Sequence, residues 1–379
     1  MKHKVLFITM HPLGESTGGS IASLNFLKMV FSVFDGQVRA VIPSGSESIV
    51  RDHGVEDLVL LDQRNKLDKA VYFLRGICRD RYTPYVDTNL ETLMVGVSHV
   101  FLDGSMLGRF AAVVKNRFTN VKVVMLHHNF ERKYYADTKM PWYQRILINR
   151  VIDYNQGAGW KQCDMNLTFT EKDKHDLSDA YGNAGEKKCE VIGYHEDCQE
   201  LKVRKRDKNT APRVRMIITG NLSVRKGYEG ALWFVNEVLP SMDEIDYELI
   251  IAGRNPHIDL IDACDGLEAV SLIANPESMD DLLEVSDVFI NPSSIGSGIK
   301  VRNFDGLRHG LPVLCRKGNE YGFEQLTERV FSIFEDVTDF KQSLTEVTDN
   351  RNEVFESYKS EYAICSGVRK LRALTMKDK

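Results

Sequence analysis

The sequence predicts an α/β protein with two doubly wound domains, and three observations lead to this prediction. The chain has 379 residues, which is too many for one ordinary hydrophobic core. Short apolar strands alternate with amphipathic helices, a pattern typical of parallel sheets covered by helices on both faces. A polar, basic stretch at residues 197–213 interrupts this alternation, as an interdomain linker does.

The first half of the chain begins with an apolar, β-branched strand at residues 5–9. A glycine-bearing loop at residues 11–19 and a helix from about residue 20 to 34 follow it. Further strands are predicted at residues 38–42, 99–102, 121–126, 165–168 and 189–192. These elements assign residues 1–196 to an N-terminal domain.

The alternation starts again after the linker. Strands are predicted at residues 214–219, 247–252, 287–290 and 312–315. They assign residues 214–355 to a C-terminal domain, and residues 356–379 to a C-terminal helix that packs back on the N-terminal domain. We expect the two Rossmann-like domains to face each other across a cleft, with a ligand at the carboxyl ends of the strands.

The charge and composition of the chain exclude several classes of protein. Lys and Arg number 49 against 54 Asp and Glu, a formal net charge of -5 that disfavours nucleic-acid binding. No apolar run approaches the roughly 18 residues needed to span a bilayer. The seven cysteines include no Cys-x-x-Cys pair, so neither a disulfide framework nor a zinc cluster is indicated. We therefore expect a reduced, cytoplasmic protein with no metal site.

Two adjacent cations, Arg225 and Lys226, follow the first strand of the C-terminal half. They belong to the turn GNLSVRKG, which begins at Gly220. A turn at the carboxyl end of a strand that carries a guanidinium and an ammonium group is suited to holding a phosphate. The alternative interpretation is a solvated basic turn.

A Ser/Gly-rich segment at residues 291–312 connects a strand to a helix that is predicted to open near Ile299. The absence of bulk at Gly298 lets the backbone approach an anion, and the unpaired N–H groups of the helix start favour negative charge. Asp305 lies seven residues after Gly298, where a carboxylate accepts hydrogen bonds from vicinal sugar hydroxyls. The alternatives are a plain strand-loop-helix connection and a surface ion pair between Arg302 and Asp305.

Residues 220–322 resemble the donor-binding domain of the GT-B retaining glycosyltransferases, particularly glycosyltransferase family 4. The resemblance is carried, in the family's order, by GNLSVRKG, ELIIAGRNP, DLLEVSDVFINPS and GSGIKVRNFDGLRHGLPVL. The last segment is similar to the signature of a polysaccharide-assembly branch of the family, the GIKN-like branch.

The resemblance implies roles for individual residues. Arg225 and Lys226 would neutralise the diphosphate of a nucleotide sugar, and Gly298 and Ile299 would offer backbone N–H groups near it. Asp305 matches the closing Glu of the family's Glu-x7-Glu motif, which holds the nucleotide ribose.

The chain departs from the family's pattern at two positions. The opening Glu of the Glu-x7-Glu motif falls at Ser297, and the closing Glu is shortened to Asp305. Both departures leave room for an altered choice of donor or for lost activity.

The N-terminal half is similar to the family at short segments only. The loop ending in Gly18 and Gly19 resembles the family's first βα loop, where glycines let the backbone approach the donor phosphate; the alternative is a flexible turn. His128 matches the His of the family's HNvE segment. A neutral imidazole there would accept a hydrogen bond or position the acceptor hydroxyl, and the alternative is a packed or capping histidine. Thr170 is predicted to cap a helix.

The resemblance therefore implies a retaining, metal-independent glycosyltransferase that moves a sugar from a nucleotide sugar to a glycan or a lipid-linked acceptor, without a cofactor. Two basic, apolar segments at residues 65–81 and 139–150 suit peripheral contact with an anionic membrane, although ordinary packing helices have the same pattern. Two other functions stay open: a sugar-nucleotide epimerase on the same fold, and a non-catalytic partner subunit of another transferase.

Overall fold

A computed structural model of the chain describes residues 4–14, 17–76, 90–136, 140–201, 214–242, 244–294 and 298–376, apart from the side chain of Lys226. The chain divides into two compact units. The first comprises Met1–Asp197 and Ile364–Lys379, and the second comprises Cys198–Ala363. Each unit contains a parallel sheet with connecting helices, so the predicted pair of Rossmann-like α/β domains is confirmed.

The sheet of the first unit has the order β3-β2-β1-β4-β5-β6-β7, and all its pairings are parallel. Its strands are β1 (Lys4–Thr9), β2 (Val38–Pro43), β3 (Asp57–Leu61), β4 (Val97–Asp103), β5 (Lys122–His127), β6 (Met165–Thr168) and β7 (Cys189–Val191). Its helices up to this point are α1 (Gly18–Val33), α2 (Glu47–Asp52), α3 (Lys66–Leu74), α4 (Leu90–Leu93), α5 (Gly108–Arg117), α6 (Glu131–Ala136), α7 (Trp142–Gln162) and α8 (Glu171–Tyr181). The strand order changes direction between β1 and β4, which is where doubly wound sheets place their ligands.

Helix α1 begins two residues earlier than expected. Thr17 is its N-cap, and the Thr17 hydroxyl oxygen accepts a hydrogen bond from the backbone N–H of Ser20 at 3.2 Å. Because this cap satisfies one of the orphan donors of the first turn, the helix starts at Gly18. Gly18 and Gly19 are therefore the first two helical residues and not part of the loop.

The core of the first unit depends on a close approach of α5 and α7. A Cβ atom at Gly108 would lie 1.7 Å from the carbonyl oxygen of Asn155, and one at Gly159 would lie 2.3 Å from the sulfur of Met125. Only glycine allows the two helices this spacing. Their packing places α7 against the carboxyl end of β5, where the two histidines lie.

The sheet of the second unit has the order β10-β9-β8-β11-β12-β13 and is also parallel throughout. Its strands are β8 (Val214–Asn221), β9 (Tyr247–Arg254), β10 (Val270–Ala274), β11 (Val288–Asn291), β12 (Val313–Arg316) and β13 (Phe331–Phe334). Its helices are α9 (Arg225–Trp233), α10 (Ile258–Cys264), α11 (Met279–Val285), α12 (Asn303–Arg308), α13 (Val337–Glu346) and α14 (Arg351–Tyr362).

The last helix, α15 (Ile364–Thr375), returns to the first unit and packs on α1. The guanidinium of Arg372 donates a hydrogen bond to the carbonyl oxygen of Ser32 at 3.2 Å. A Cβ at Gly367 would lie 2.6 Å from the ring of His195, so α15 also packs tightly against the segment that ends the first unit's sheet. Among the residues described, no helix has the length and apolarity that crossing a membrane requires.

Candidate functional site

The predicted site residues fall into one group in each unit. The first unit carries Gly18, Gly19 and His128. The second unit carries Gly220, Arg225, Lys226, Gly298, Ile299 and Asp305. Ser297 also belongs to the predicted set and lies outside the residues that the structure describes.

His128 forms a buried ion pair with an aspartate that ends the neighbouring strand. Its Nε2 atom lies 2.6 Å from Oδ1 of Asp103, the last residue of β4. The side chain of His128 is 11% exposed and that of Asp103 is fully buried. Since β4 and β5 are adjacent and parallel, their carboxyl ends bring the two side chains to the same edge of the sheet.

The pair favours the charged form of each group. Burial by itself lowers the pKa of His128, but the charge of Asp103 and its hydrogen bond outweigh burial, so the pKa of His128 is raised. Burial likewise raises the pKa of Asp103, and His128 overcomes it, so that this pKa falls to about 2. We expected a neutral imidazole at position 128. The structure instead favours an imidazolium, because the carboxylate of Asp103 lies beside the ring. The sequence did not reveal this carboxylate.

Other polar groups surround this pair. The ring of His11, which follows β1, lies 5.2 Å from the ring of His128 between centroids and also lowers the pKa of Asp103. Ser23 on α1 contributes a further lowering of the pKa of Asp103. Because Ser23 lies about one turn beyond Gly19, helix α1 connects its first two residues, Gly18 and Gly19, to the His128–Asp103 pair.

His127 has a different environment from its neighbour. It is fully buried, with Nδ1 lying 3.0 Å from Oγ of Ser105 and Nε2 lying 3.1 Å from Oδ1 of Asn166. Burial lowers the pKa of His127 to about 4. His127 is therefore a packed, neutral histidine that ties β5 to β6.

The glycine start of α1 is open. A Cβ atom at Gly19 would meet no other atom within 4 Å. The protein's own packing therefore does not require a glycine there, and the space beside its backbone is available to a ligand.

In the second unit, the turn after β8 is closed by its own polar groups. The side chain of Asn221 accepts hydrogen bonds from the hydroxyl of Ser223 at 2.6 Å and from its backbone N–H at 3.2 Å. A Cβ at Gly227 would lie 1.7 Å from the carbonyl oxygen of Asn221, so glycine is required for α9 to start this close to the strand. Arg225 and Lys226 are the first two residues of α9.

The guanidinium of Arg225 is engaged within its own helix. Its Nε atom donates to Oε1 of Glu229 at 2.8 Å, and the side chain of Arg225 is 55% exposed. The residue N-terminal to α9, Val224, supplies no side-chain cap. A Cβ at Gly230 would lie 2.8 Å from Cα of Ser293, so α9 packs directly on the segment that follows β11.

Residues 298–308 differ from the sequence prediction. Helix α12 begins at Asn303 and not near Ile299, and it has six residues. A turn precedes it, in which the carbonyl oxygens of Lys300 and Val301 accept from the N–H groups of Asn303 and Phe304 at 2.9 and 3.1 Å. Gly298 has a φ of 69°, a conformation that other residues rarely adopt. The expected dipole of a long helix opening at Ile299 is therefore not present.

Asp305 lies in the first turn of α12 and is about one-third exposed, at 32%. Its carboxylate forms an ion pair with Arg308, with Nη2 and Oδ1 3.5 Å apart. The guanidinium of Arg302 lies against Gly220, and the charge of Asp305 still raises the pKa of Arg302.

Two residues that the sequence analysis did not select stand out in the structure, Asp103 and Arg302. A polar residue that ends a buried apolar strand is a usable signal for Asp103, since ligands bind at that edge. Arg302 gave no comparable signal. Arg302 follows a turn whose sequence has no clear periodicity. Its contact with Gly220 joins positions that are far apart in the chain.

Comparison with known proteins agrees with this architecture. Residues 213–350 match the family described as Glycosyl transferases group 1. An uncharacterized 44.6 kDa protein in the cps region of Klebsiella pneumoniae is 29% identical over 120 residues. That match covers 29% of this chain and 31% of the relative, so the chain spans less than a third of the relative's length.

Two solved structures cover nearly the whole chain. A glycosyltransferase from Rickettsia africae has a TM-score of 0.64 and 12% identity, with 100% of both chains covered. The Anabaena protein Alr3699/HepE in complex with UDP has a TM-score of 0.65 and 10% identity, covering 99% of this chain and 100% of its own. The chain thus has the fold of the GT-B glycosyltransferases, and its residues 213–350 are similar to the Glycosyl transferases group 1 family.

Proposed function

We propose that this protein is a glycosyltransferase that moves a sugar from a nucleotide sugar to a hydroxyl of a glycan or a lipid-linked acceptor, with retention at the anomeric carbon. Surface polysaccharide or glycoconjugate synthesis is the process it would serve. The observation that carries the proposal is the cationic, glycine-lined carboxyl edge of the second sheet, inside the part that matches the group 1 family. A bound UDP in a protein of the same fold is consistent with it.

The donor would be held by the second unit. Arg225 and Lys226 would neutralise the diphosphate, with Gly298 and Ile299 beside it. Asp305, whose carboxylate is about one-third exposed, would accept hydrogen bonds from the ribose hydroxyls. Ser297 would lie near the donor in place of an acidic group.

The first unit would act on the sugar and the acceptor. As an imidazolium, His128 donates hydrogen bonds, so it would bind a sugar hydroxyl or the negative charge that develops on the departing diphosphate. The backbone at Gly18 and Gly19 would approach the same groups. Asp103 would keep His128 charged and oriented.

The reaction balances without an added base. The acceptor oxygen forms a bond to C1 of the sugar while the bond from C1 to the diphosphate oxygen breaks. The acceptor proton passes to that departing phosphate oxygen on the same face of the sugar. Positive groups placed before the reaction stabilise the developing charge, a role that the proposal gives to side chains and not to a metal.

Binding of the donor can be tested by melting temperature. We expect one class among UDP-, GDP-, ADP-, dTDP- and CMP-sugars to raise it, because a ligand at 100 times its Kd stabilises the native state by about 2.7 kcal/mol. Transfer to an acceptor is then followed with that sugar nucleotide. A melting temperature unchanged by all five classes would contradict the proposal.

The absence of an acidic residue at Ser297 favours one other function, that of a non-catalytic partner subunit. Stable co-purification with a second transferase, together with no binding of any sugar nucleotide, would support that function. Formation of an epimer from the sugar nucleotide without any acceptor would instead indicate an epimerase.

We also propose that the first unit contacts a membrane surface and meets a lipid-linked acceptor there. Helix α3 and the start of α7 expose large apolar side chains; Leu67, Leu74 and Trp142 are 79%, 78% and 75% exposed. The chain just after α3 contacts the middle of α7, where Nδ2 of Asn155 donates to the carbonyl oxygen of Gly76 at 3.0 Å. Exposed basic residues lie in or beside the same two helices: Arg64, Lys66, Arg75, Arg145 and Arg150. Apolar and basic groups together favour an anionic bilayer.

Vesicle binding tests this contact. We expect the protein to sediment with vesicles that contain phosphatidylglycerol more than with neutral ones, and Trp142→Glu to reduce the bound fraction at least fivefold. Val95→Glu is the matched control, because Val95 is 69% exposed in the same unit but lies away from α3 and α7 in sequence. Equal loss in both variants, or no preference for anionic vesicles, would contradict the contact.

A further inference from the structure

The guanidinium of Arg302 lies directly on the backbone at the carboxyl end of β8. A Cβ atom at Gly220 would lie 2.7 Å from Nη2, 2.8 Å from Cζ and 3.2 Å from Nη1 of Arg302. A Cβ atom at position 220 would have to displace the guanidinium, which therefore occupies the space beside this glycine. Gly220 is one of the donor-binding residues predicted from the sequence, and its contact with Arg302 is seen only in the structure.

This guanidinium is poorly compensated within the protein. Burial lowers the pKa of Arg302, and Asp305 only partly offsets that effect. The ion pair of Asp305 at 3.5 Å is made with Arg308. In the part of the chain that the structure describes, no group accepts a hydrogen bond from the guanidinium of Arg302. A half-buried cation with five N–H donors and no acceptor is costly unless a ligand supplies the acceptor.

A second polar group at this end of β8 also lacks a hydrogen-bond partner among the described residues. Thr219, the residue before Gly220, is buried, and its hydroxyl has no hydrogen-bond partner. The turn that follows uses Asn221 for its own closure and then leads into the cations of α9. Donors therefore collect at this end of β8, and the group that fits them is an anion with several oxygens.

We propose that Arg302 binds the diphosphate of the nucleotide-sugar donor as a third cation beside Arg225 and Lys226. This role of Arg302 rests on the proposed function. It identifies Arg302 as the residue that binds the donor at the carboxyl end of β8. A guanidinium presents two parallel N–H groups to phosphate oxygens, so its geometry as well as its charge matters. Arg225 shares its guanidinium with Glu229. The guanidinium of Arg302, in contrast, has no carboxylate within hydrogen-bond distance among the described residues.

The test compares ligands that differ only in the diphosphate. Affinities for UDP, GDP, ADP and dTDP, and for the corresponding nucleosides, are measured by calorimetry for the wild type, Arg302→Ala, Arg302→Lys and Arg329→Ala. We expect Arg302→Ala to weaken binding of the preferred diphosphate at least tenfold and to leave its nucleoside within twofold. Arg302→Lys should retain part of the affinity. Arg329→Ala removes an exposed arginine of the same unit that pairs with Glu353, and it should stay within twofold for both ligands.

The outcomes separate this proposal from the function on which it rests. A wild type that binds none of the four diphosphates more tightly than its nucleoside contradicts both. If the wild type prefers a diphosphate and Arg302→Ala keeps that preference, only the role of Arg302 is overturned. Equal weakening of diphosphate and nucleoside, or a collapse of the melting temperature in both Arg302 variants, also overturns it, because that pattern indicates a structural role.

Discussion

Lys226→Ala is expected to abolish sugar transfer while the protein stays folded. An ammonium group that neutralises the departing diphosphate stabilises the transition state more than the ground state, and removal of one such group costs about 100-fold to 1,000-fold in kcat. Lys226 is the second residue of α9, and alanine is the strongest helix former, so the helix should persist. Steady-state kinetics with the identified donor should show a larger fall in kcat than rise in KM.

Two control variants give this result its meaning. Lys317→Ala removes an exposed lysine of the same unit that is paired with Glu335, and it should leave transfer unchanged. Arg225→Ala should have an intermediate effect, about tenfold, because Glu229 already engages that guanidinium. Circular dichroism and melting temperature establish that each variant is folded. Near-normal transfer by Lys226→Ala would remove the main support for the donor site.

The strands that the sequence analysis missed have one property in common. β3, β10 and β13 are the edge strands of their sheets, and each central strand was predicted. A central strand of a parallel sheet is buried on both faces and reads as a continuous apolar run. An edge strand such as β10 is only partly buried along its whole length and mixes polar with apolar residues. The local pattern is therefore weakest at the edges.

The candidate site shows the same limit at the level of single residues. His127 and His128 are adjacent and chemically identical, yet one is packed and neutral and the other is paired and charged. Residues next to each other at a strand end point in opposite directions. Which of them meets a carboxylate depends on Asp103, 25 positions earlier, and that separation carries no local signal.

Arg302 and Gly220 are likewise joined only by the fold. Local pattern predicted the glycine-bearing turn and the cations that follow it, since strand ends and turn residues have recognisable composition. The local pattern predicted the wrong start for α12. A six-residue helix that follows a tight turn is too short to show the hydrophobic periodicity by which helices are recognised in a sequence.

Asp103→Asn is expected to cause the second-largest loss of activity and a marked loss of stability. Removing one partner of a buried ion pair leaves the other charge uncompensated, which costs about 3 kcal/mol or more in the free energy of unfolding. Without the carboxylate, the largest influence that raises the pKa of His128 is lost, and burial favours the neutral imidazole at pH 7 against the weaker effects of Glu131 and Asp173. If transfer needs the imidazolium, kcat should fall about 100-fold at that pH.

The pH dependence distinguishes this explanation from general damage. In the wild type the pKa of His128 is raised, so activity should fall on the alkaline side only above pH 6.5. In Asp103→Asn that fall should move to lower pH, and the two enzymes should differ less at pH 5.5 than at pH 7.5. His128→Gln added to Asp103→Asn should cost little more, because both changes remove the same charged group.

The stability of the wild type carries the matching signature. Asp103 has a lowered pKa of about 2, so its contribution is present above about pH 4 and is lost as the pH falls through 2. His128 has a raised pKa, so its contribution is present below pH 6.5 and is lost as the pH rises through its value in the folded protein. Denaturant unfolding should therefore show the largest difference between wild type and Asp103→Asn from about pH 4 to 6.5. Glu91→Gln, at an exposed pair with Arg117, should change stability by less than about 1 kcal/mol, and an equal effect of both substitutions across pH would contradict a buried His128–Asp103 pair.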